Sequence, residues 1–332
     1  MVGIIIPVFN AESTLDRCVK SVINQTMKDL LILLVENGST DNSYNRCLDI
    51  AKVDKRIIVL RSKNGVSCAR NMGLSEAEKL GCKYVGFVDA DDYIDADMYE
   101  KLYLAAENED AQIMFCNFVA ETGDKRDPQI ITPKAMRYLK NGDITPFIYN
   151  DRNRVMGSVW RSIFRKDIYR KLRFKEDVIL AEDLIFVCKA VKTAEKIGFI
   201  DDCFYHYIKP MQSLGANKKY WCRDVFAERE RFVRAMDEVF SEKEKGLAKI
   251  IKINTLVDLL LYVIRLEKNY KEKINELYDI PFYKKECRSL SGFIQFLIHC
   301  CKSLKHKILV SMVYFGMYDT YKKLSLHHHV SK

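Results

Sequence analysis

The chain has 332 residues, is 48% hydrophobic and 30% charged, and carries a formal net charge of +9, enough apolar material for a sizeable core in one large domain or two unequal ones. The longest clean apolar run, Leu259 to Ile264, is far too short to span a bilayer, and Val2-Gly3-Ile4-Ile5-Ile6 has no basic leader, so neither a membrane-spanning helix nor a signal peptide is expected. The eleven cysteines are scattered, odd in number and without a CxxC pair, which fits free thiols in a reducing cytosol and argues against a disulfide framework or a zinc site.

In chain order, Val2 to Val8 reads as a buried strand. Asn10 is placed to cap the following helix, with Glu12 in its first turn. Leu15, Val19, Val22 and Ile23 recur at helical spacing. Leu30 to Val35 is the second strand, broken by Gly38-Ser39-Thr40-Asp41, which starts a helix running through Ile50. Arg56 to Leu60 is the third strand, Asn64-Gly65 a turn, Ser67 to Leu80 a helix and Tyr84 to Val88 the fourth strand. This βαβαβαβ order predicts a mostly parallel sheet with helices on both faces. Gln112 to Val119 is a further strand and Thr122 to Arg126 a polar turn region. Gly157 to Phe164 reads as a strand and Arg165 to Leu172 as a short helix. Glu182-Asp183 opens a helix to Ala194, and Lys196 to Ile200 and Cys203 to Tyr207 read as short strands. Beyond Lys218 the chain reads as helical.

Ligands of such sheets bind outside the carboxyl ends of the strands. Three stretches fall there: Pro7-Val8-Phe9-Asn10, Glu36-Asn37-Gly38-Ser39 and Asp89-Ala90-Asp91-Asp92. The last sets three carboxylates directly after an apolar strand. In extended chain, residues i and i+2 point the same way, so Asp89 and Asp91 could face one ligand together. Two hard oxygen donors suit Mg²⁺ or Mn²⁺, with water and phosphate oxygens in the remaining positions. The alternative is an acidic turn that caps the next helix through Asp92 or Asp95. His206, between two tyrosines, reads either as a packed histidine or as a group meeting the metal or diphosphate. Trp160 reads as core, with stacking on a sugar face as the alternative.

The segment 281–332 holds nine lysines and arginines against two acids. Phe293, Phe296, Leu297, Cys300, Cys301, Leu304, Ile308, Met312 and Phe315 keep one helical face there. Together these suggest a basic amphipathic helix on an anionic membrane surface, or else a helix packed on the domain with solvated lysines opposite.

Ile4 to Glu12, Glu36 to Ser43, Asn64 to Gly73 (Asn-Gly-Val-Ser-Cys-Ala-Arg-Asn-Met-Gly) and Asp89 to Asp92 resemble, in order and spacing, the motifs of glycosyltransferase family 2. The resemblance covers about residues 2–120, and Glu182-Asp183 resembles the family's later acidic pair. It implies the GT-A fold, a mostly parallel sheet flanked by helices, over 1–217 (1–120 on the nucleotide-sugar side, 121–217 on the acceptor side), with a helical C-terminal region over 218–332. It implies inverting transfer from a nucleotide-diphosphate sugar, expected to be UDP-linked, to an acceptor hydroxyl of a glycan or lipid-linked carrier, aided by Mn²⁺ or Mg²⁺. Carried over, Pro7 and Phe9 border the base, Glu36 meets its ring, and Ser39 and Ala90 line the donor. Arg70 approaches the diphosphate, Asp89 lies near ribose and metal, and Asp91 binds the metal. Asp183, beside Glu182, is the general base; without the resemblance the pair reads as ordinary first-turn helix charge. The sequence departs from the family at Glu36-Asn37, where Asp-Asp is common, and at Phe9, where Tyr is common. The setting expected is bacterial surface polysaccharide assembly in the cytoplasm, peripheral on the inner face of the membrane. A non-catalytic sugar-nucleotide binder is the competing class. A nucleotidyltransferase would want a glycine-rich phosphate loop that Pro7 to Asn10 does not supply, and no nucleic-acid module is recognisable.

Overall fold

A computed structural model describes residues 1–129, 157–179, 181–208 and 225–241, with 244 and 246. The chain divides into two compact units, one of residues 1–147 and 153–222, the other of 148–152 and 223–332.

The first unit begins with β1 (Val2–Val8), α1 (Leu15–Ile23), β2 (Leu30–Glu36), α2 (Ser43–Ala51), β3 (Ile57–Arg61), α3 (Val66–Lys79) and β4 (Tyr84–Phe87). Every residue of β1 and β2 is buried, as near-continuous apolar runs are when helices cover both faces of a parallel sheet. β1 pairs in parallel with β2 and β4, and β2 with β3. Pro7 lies beyond the last β1 residue paired with β4, so its missing N–H removes no rung on that side. Helix α3 lies so close to β1 that a Cβ on Gly73 would come within 2.5 Å of Ile5 Cγ2. Packing thus explains the glycine that ends the Asn64–Gly73 motif.

The second half is mixed. It comprises β5 (Tyr93–Ile94), α4 (Met98–Asn108), β6 (Ile113–Thr122), β7 (Lys125–Gln129), a 3₁₀ turn (Val159–Arg161), β8 (Ser162–Arg165), α5 (Lys166–Tyr169), α6 (Glu182–Thr193) and β9 (Ile197–Ile208). The strand order is β3-β2-β1-β4-β8-β6-β9-β5, with β7 paired to β6. β8 enters antiparallel to both β4 and β6, and β9 runs parallel to β6. The two strands expected between Lys196 and Tyr207 are one, with register shifts around Asn117, whose side-chain amide donates to the Asp201 carbonyl. The polar stretch from Thr122 is the turn of the β6–β7 hairpin, with Gly123 at φ 56°. Phe87, Phe164, Phe174 and Phe186 join the sheet to α6 edge to face, and Phe174 and Phe186 stack at 4.2 Å. Burying such a ring is worth about 1.5–3 kcal/mol, so the cluster fixes α6 firmly.

In the second unit, α7 (Val225–Asp237) buries Phe232, Val233 and Met236. The amphipathic segment within 281–332 lies outside the described residues. No helix among the described residues is long and apolar enough to cross a membrane.

Candidate active site

The loops after β1 and β2 are stitched together. Asn10 N–H donates to Ser39 Oγ, Ala11 N–H to Ser43 Oγ and Glu12 N–H to Asp41 Oδ2, while Asn10 Oδ1 accepts from Thr40 N–H and Glu12 Oε2 from Asn42 N–H. Asn10 therefore does not cap α1, as the sequence suggested. It sits at φ 48° and spends its carboxamide on the neighbouring loop, while Thr14 precedes the helix and Asp16 supplies its first-turn acid. Phe9, next to it, is 44% exposed at the strand end, whereas Pro7 is buried.

Glu36 is buried and folds back on its own loop. Oε1 accepts from Gly38 N–H (2.8 Å) and Ser39 N–H (2.5 Å), and Oε2 from Arg61 Nε (3.2 Å). Burial pushes this carboxyl up, but the hydrogen bonds from Ser39, Gly38 and Arg61 outweigh it and leave it below the ordinary value. A base N–H meeting Glu36 would share oxygens that already hold the loop.

The Asp89–Asp92 segment is a turn, not an extension of β4. The strand ends at Phe87, and Asp92 N–H donates to the Asp89 carbonyl. The alternation argument for Asp89 and Asp91 therefore fails, and the four residues divide differently. Asp92 is buried inward, accepting from Ile208 N–H (2.8 Å) and the Tyr205 hydroxyl (2.7 Å). The same hydroxyl accepts from Asp89 N–H, so β9 holds both ends of the turn. Ala90 is buried, and neither Asp92 nor Asp95 caps α4, which Asp97 precedes. Asp91 is exposed, and Arg17 of α1 grips its carbonyl at 2.5 Å. Partial desolvation and then the Asp89 charge push the Asp91 carboxyl up. An exposed carboxylate crowded by another is a fit donor set for a hard divalent cation whose other ligands come from phosphate and water. Among the described residues no group of three or more His, Cys, Asp or Glu side chains is arranged to hold a metal by itself.

Arg70 of α3 is the hub. Only 4% exposed, it donates from Nη2 to Asp89 Oδ1 (3.0 Å) and from Nη1 to Glu182 Oε1 (2.8 Å), with its guanidinium 5.3 Å from the centroid of the Phe174 ring. Burial alone would lower its proton affinity, but Asp89 and Glu182 more than reverse that. Arg70, expected to approach the diphosphate, gives both Nη groups to carboxylates, and its buried Nε has no hydrogen-bond partner among the described residues. Next to Glu182 stands Asp183, half-buried, whose Oδ1 accepts from Leu184 N–H. Burial first and the Glu182 charge second push the Asp183 carboxyl up to about 7, against the pull of Arg70. A carboxyl raised in this way is suited to accept a proton near neutrality.

His206 is not open to a metal or diphosphate. Its Nδ1 is 2.8 Å from Glu121 Oε1 and its Nε2 is 3.0 Å from Asp95 Oδ1, and the ring stacks on Tyr93 at 4.2 Å. Trp160 is core, stacked on Tyr205 at 4.2 Å. Arg17 and Tyr205, which grip the acidic turn from α1 and β9, were not found from sequence. Only the sheet order brings them there: Arg17 sits in no motif, and Tyr205 lies in the Tyr205-His206-Tyr207 stretch that resembles the family only as the region after its acidic pair. None of the seven described cysteines is joined in a disulfide.

Three comparisons bear on this arrangement. The glycosyltransferase EpsJ of Bacillus subtilis is 34% identical over 221 residues, 64% of this chain and 62% of its own length. The minor teichoic acid biosynthesis protein GgaB of the same organism is 22% identical over 98% of this chain and 35% of its own. The crystal structure of S. aureus TarS 1–349 in complex with UDP superposes with a TM-score of 0.63 at 15% identity, covering 100% of this chain and 92% of that one, which establishes a shared GT-A fold. The profile of glycosyl transferase family 2 matches residues 3–173, over half of the chain and all four strand-end motifs. The chain belongs to glycosyltransferase family 2.

Proposed function

We propose that the protein moves a sugar, with inversion, from a UDP-linked donor to a hydroxyl of a glycan or lipid-linked acceptor in cell-surface polysaccharide assembly. The observation that carries this reading is the convergence, through Arg70, of the acidic strand-end turn and the Glu182-Asp183 pair. Phe9 offers an exposed ring to the nucleotide base at the end of β1. Asp91, with Asp89, would hold Mn²⁺ or Mg²⁺. When bound, that ion supplies Lewis-acid stabilisation of the departing diphosphate. Arg70 keeps the Asp89 carboxylate in place from below. Asp183 takes the proton from the attacking acceptor hydroxyl, which is a poor nucleophile until it does so. The similarity to GgaB and TarS supports a wall- or surface-polymer acceptor and a nucleotide-sugar donor. The basic 281–332 segment supports a peripheral place on the cytoplasmic membrane face.

A panel of nucleotide sugars tests this, read as donor hydrolysis and as transfer to lipid extract, with and without Mn²⁺. Release of UDP from one donor, lost in Asp183→Asn, is the expected result. Tight donor binding without any release would replace the transferase by a non-catalytic binder.

A further inference from the structure

Resting on the transferase reading above, we propose that Glu182 is a positioning residue: through Arg70 it pins the first turn of α6, and with it Asp183, to the turn that carries Asp89 and Asp91. Three observations meet here. A first-turn acid normally faces water, where the helix dipole favours it. Glu182 is instead 9% exposed and turned onto a buried guanidinium 2.8 Å away. The residue before it, Ala181, adopts φ 60° and ψ 31°, a left-handed conformation that residues with a Cβ rarely take. That twist precedes the helix and sets the entry of Glu182 and Asp183. Arg70 also lies against the Phe174 ring, and Phe174 stacks on Phe186 of α6. The guanidinium thus meets α6 by charge at Glu182 and by an intermediary ring at Phe186, while its other arm holds Asp89.

In this arrangement the glutamate is turned onto the arginine, and the arginine divides its two Nη groups between Glu182 and Asp89. What they fix is the distance between the carboxylate that takes the acceptor proton and the turn that holds the donor. In-line displacement needs that distance to be right. A misplacement of about 1 Å can cost about a hundredfold in rate. The charged groups acting on Asp183 are Glu182, Arg70 and Asp89. Removing the Glu182 charge while keeping an oxygen separates position from electrostatics.

The experiment uses the full chain as wild type, Glu182→Gln and Glu182→Ala, with thermal melts to establish that each folds. Donor turnover is followed against pH with the best UDP-sugar of the panel. Glu182→Ala is expected to lose about a hundredfold in kcat with donor KM little changed, since misplacing a reacting group strikes the chemical step. Glu182→Gln, whose Oε1 still accepts from Arg70 Nη1, is expected to recover most of that loss. In both, the acid limb of the kcat profile moves to lower pH, because the charge that lifts Asp183 is gone. An unchanged kcat in Glu182→Ala, a loss confined to donor KM, or an unmoved acid limb overturns the proposal. A wild type that turns over no donor overturns the transferase reading instead. The Glu182 proposal is then decided by crystal structures of Glu182→Ala and Glu182→Gln. A first turn of α6 displaced from the Asp89 turn in the alanine variant but not in the glutamine variant upholds the proposal, and an unmoved turn in Glu182→Ala overturns it.

Discussion

Two clusters in this protein share one design, a nitrogen-bearing side chain set between two carboxylates, and they differ in what stands beside them. In one, Arg70 lies between Asp89 and Glu182. In the other, His206 lies between Glu121 and Asp95. In both the central side chain is buried, both join segments far apart in sequence, and both flank the Asp89–Asp92 turn. The first has a free-standing neighbour, Asp183, whose carboxyl is pushed up to about 7, and its Asp89 arm belongs to the turn itself. The second is closed: Tyr93 donates its hydroxyl to Glu121 and stacks on the imidazole, and Arg126 covers the same carboxylate. The difference teaches that pairing of acids can close a cluster completely, as at His206, or leave an ionisable group beside it, as at Asp183.

The sharpest way to break that comparison is at the leftover group. Asp183→Asn is expected to lower transfer by about a hundred- to ten-thousand-fold, the range of general-base assistance, with donor affinity unchanged in a binding titration. Its stability should move the other way. A carboxyl whose folded value is raised stabilises the fold below its unfolded value and loses that contribution as pH rises through about 7. At pH 8 the wild type carries the buried charge and the amide does not, so Asp183→Asn should melt higher than wild type. In wild type, transfer should rise with pH through the same region as the base deprotonates. A profile flat between pH 5.5 and 8 would place the proton acceptor elsewhere.

The next largest effect is expected at the hub. Arg70→Met leaves Asp89 and Glu182 facing each other with no cation, and breaking a buried pair from one side costs about 3–5 kcal/mol. Chemical denaturation should show that loss together with a collapse of transfer. Arg17→Ala is milder. It removes one exposed grip on the Asp91 carbonyl and leaves Tyr205 holding the other side of the turn. A change of about tenfold or less in apparent metal or donor affinity is expected, since a solvent-exposed hydrogen bond nets about 0.5–1.5 kcal/mol and about 1.4 kcal/mol is tenfold.

The parallel half of the sheet was legible because its information is local. Val2–Val8 and Leu30 to Val35 are unbroken apolar runs, and the strand-end motifs follow each at the edge where topology puts ligands. The mixed half was less so. The turn at Asp89 could not be told from an extended strand end, because what bends it is a hydrogen bond to its own carbonyl and two more from β9, over a hundred residues later. Arg70 was found by motif but its partners were not, since Asp89 and Glu182 lie 19 and 112 residues away. His206 stood open between two readings for the same reason.

His206 also gives the smallest expected effect on activity and the cleanest control. His206→Leu keeps much of the ring's bulk but removes both nitrogens from Glu121 and Asp95. Glu121 keeps Tyr93 and Arg126, so the loss should be about 1–3 kcal/mol of stability, the range for a buried group deprived of one hydrogen-bond partner, with transfer and donor affinity close to wild type. A collapse of donor or metal affinity in a folded His206→Leu would erase the distinction between the two clusters. The pH dependence of the difference sharpens the test. Burial pushes the Glu121 carboxyl up, but the contacts from His206 and Tyr93 hold it below the ordinary carboxylate value. A lowered carboxyl gives stability that is present above its unfolded value and lost as pH falls through its folded one. Part of that stability belongs to His206. The melting temperatures of wild type and His206→Leu should therefore differ most near neutral pH and draw together below about pH 4, where the glutamate of the unfolded chain is itself protonated.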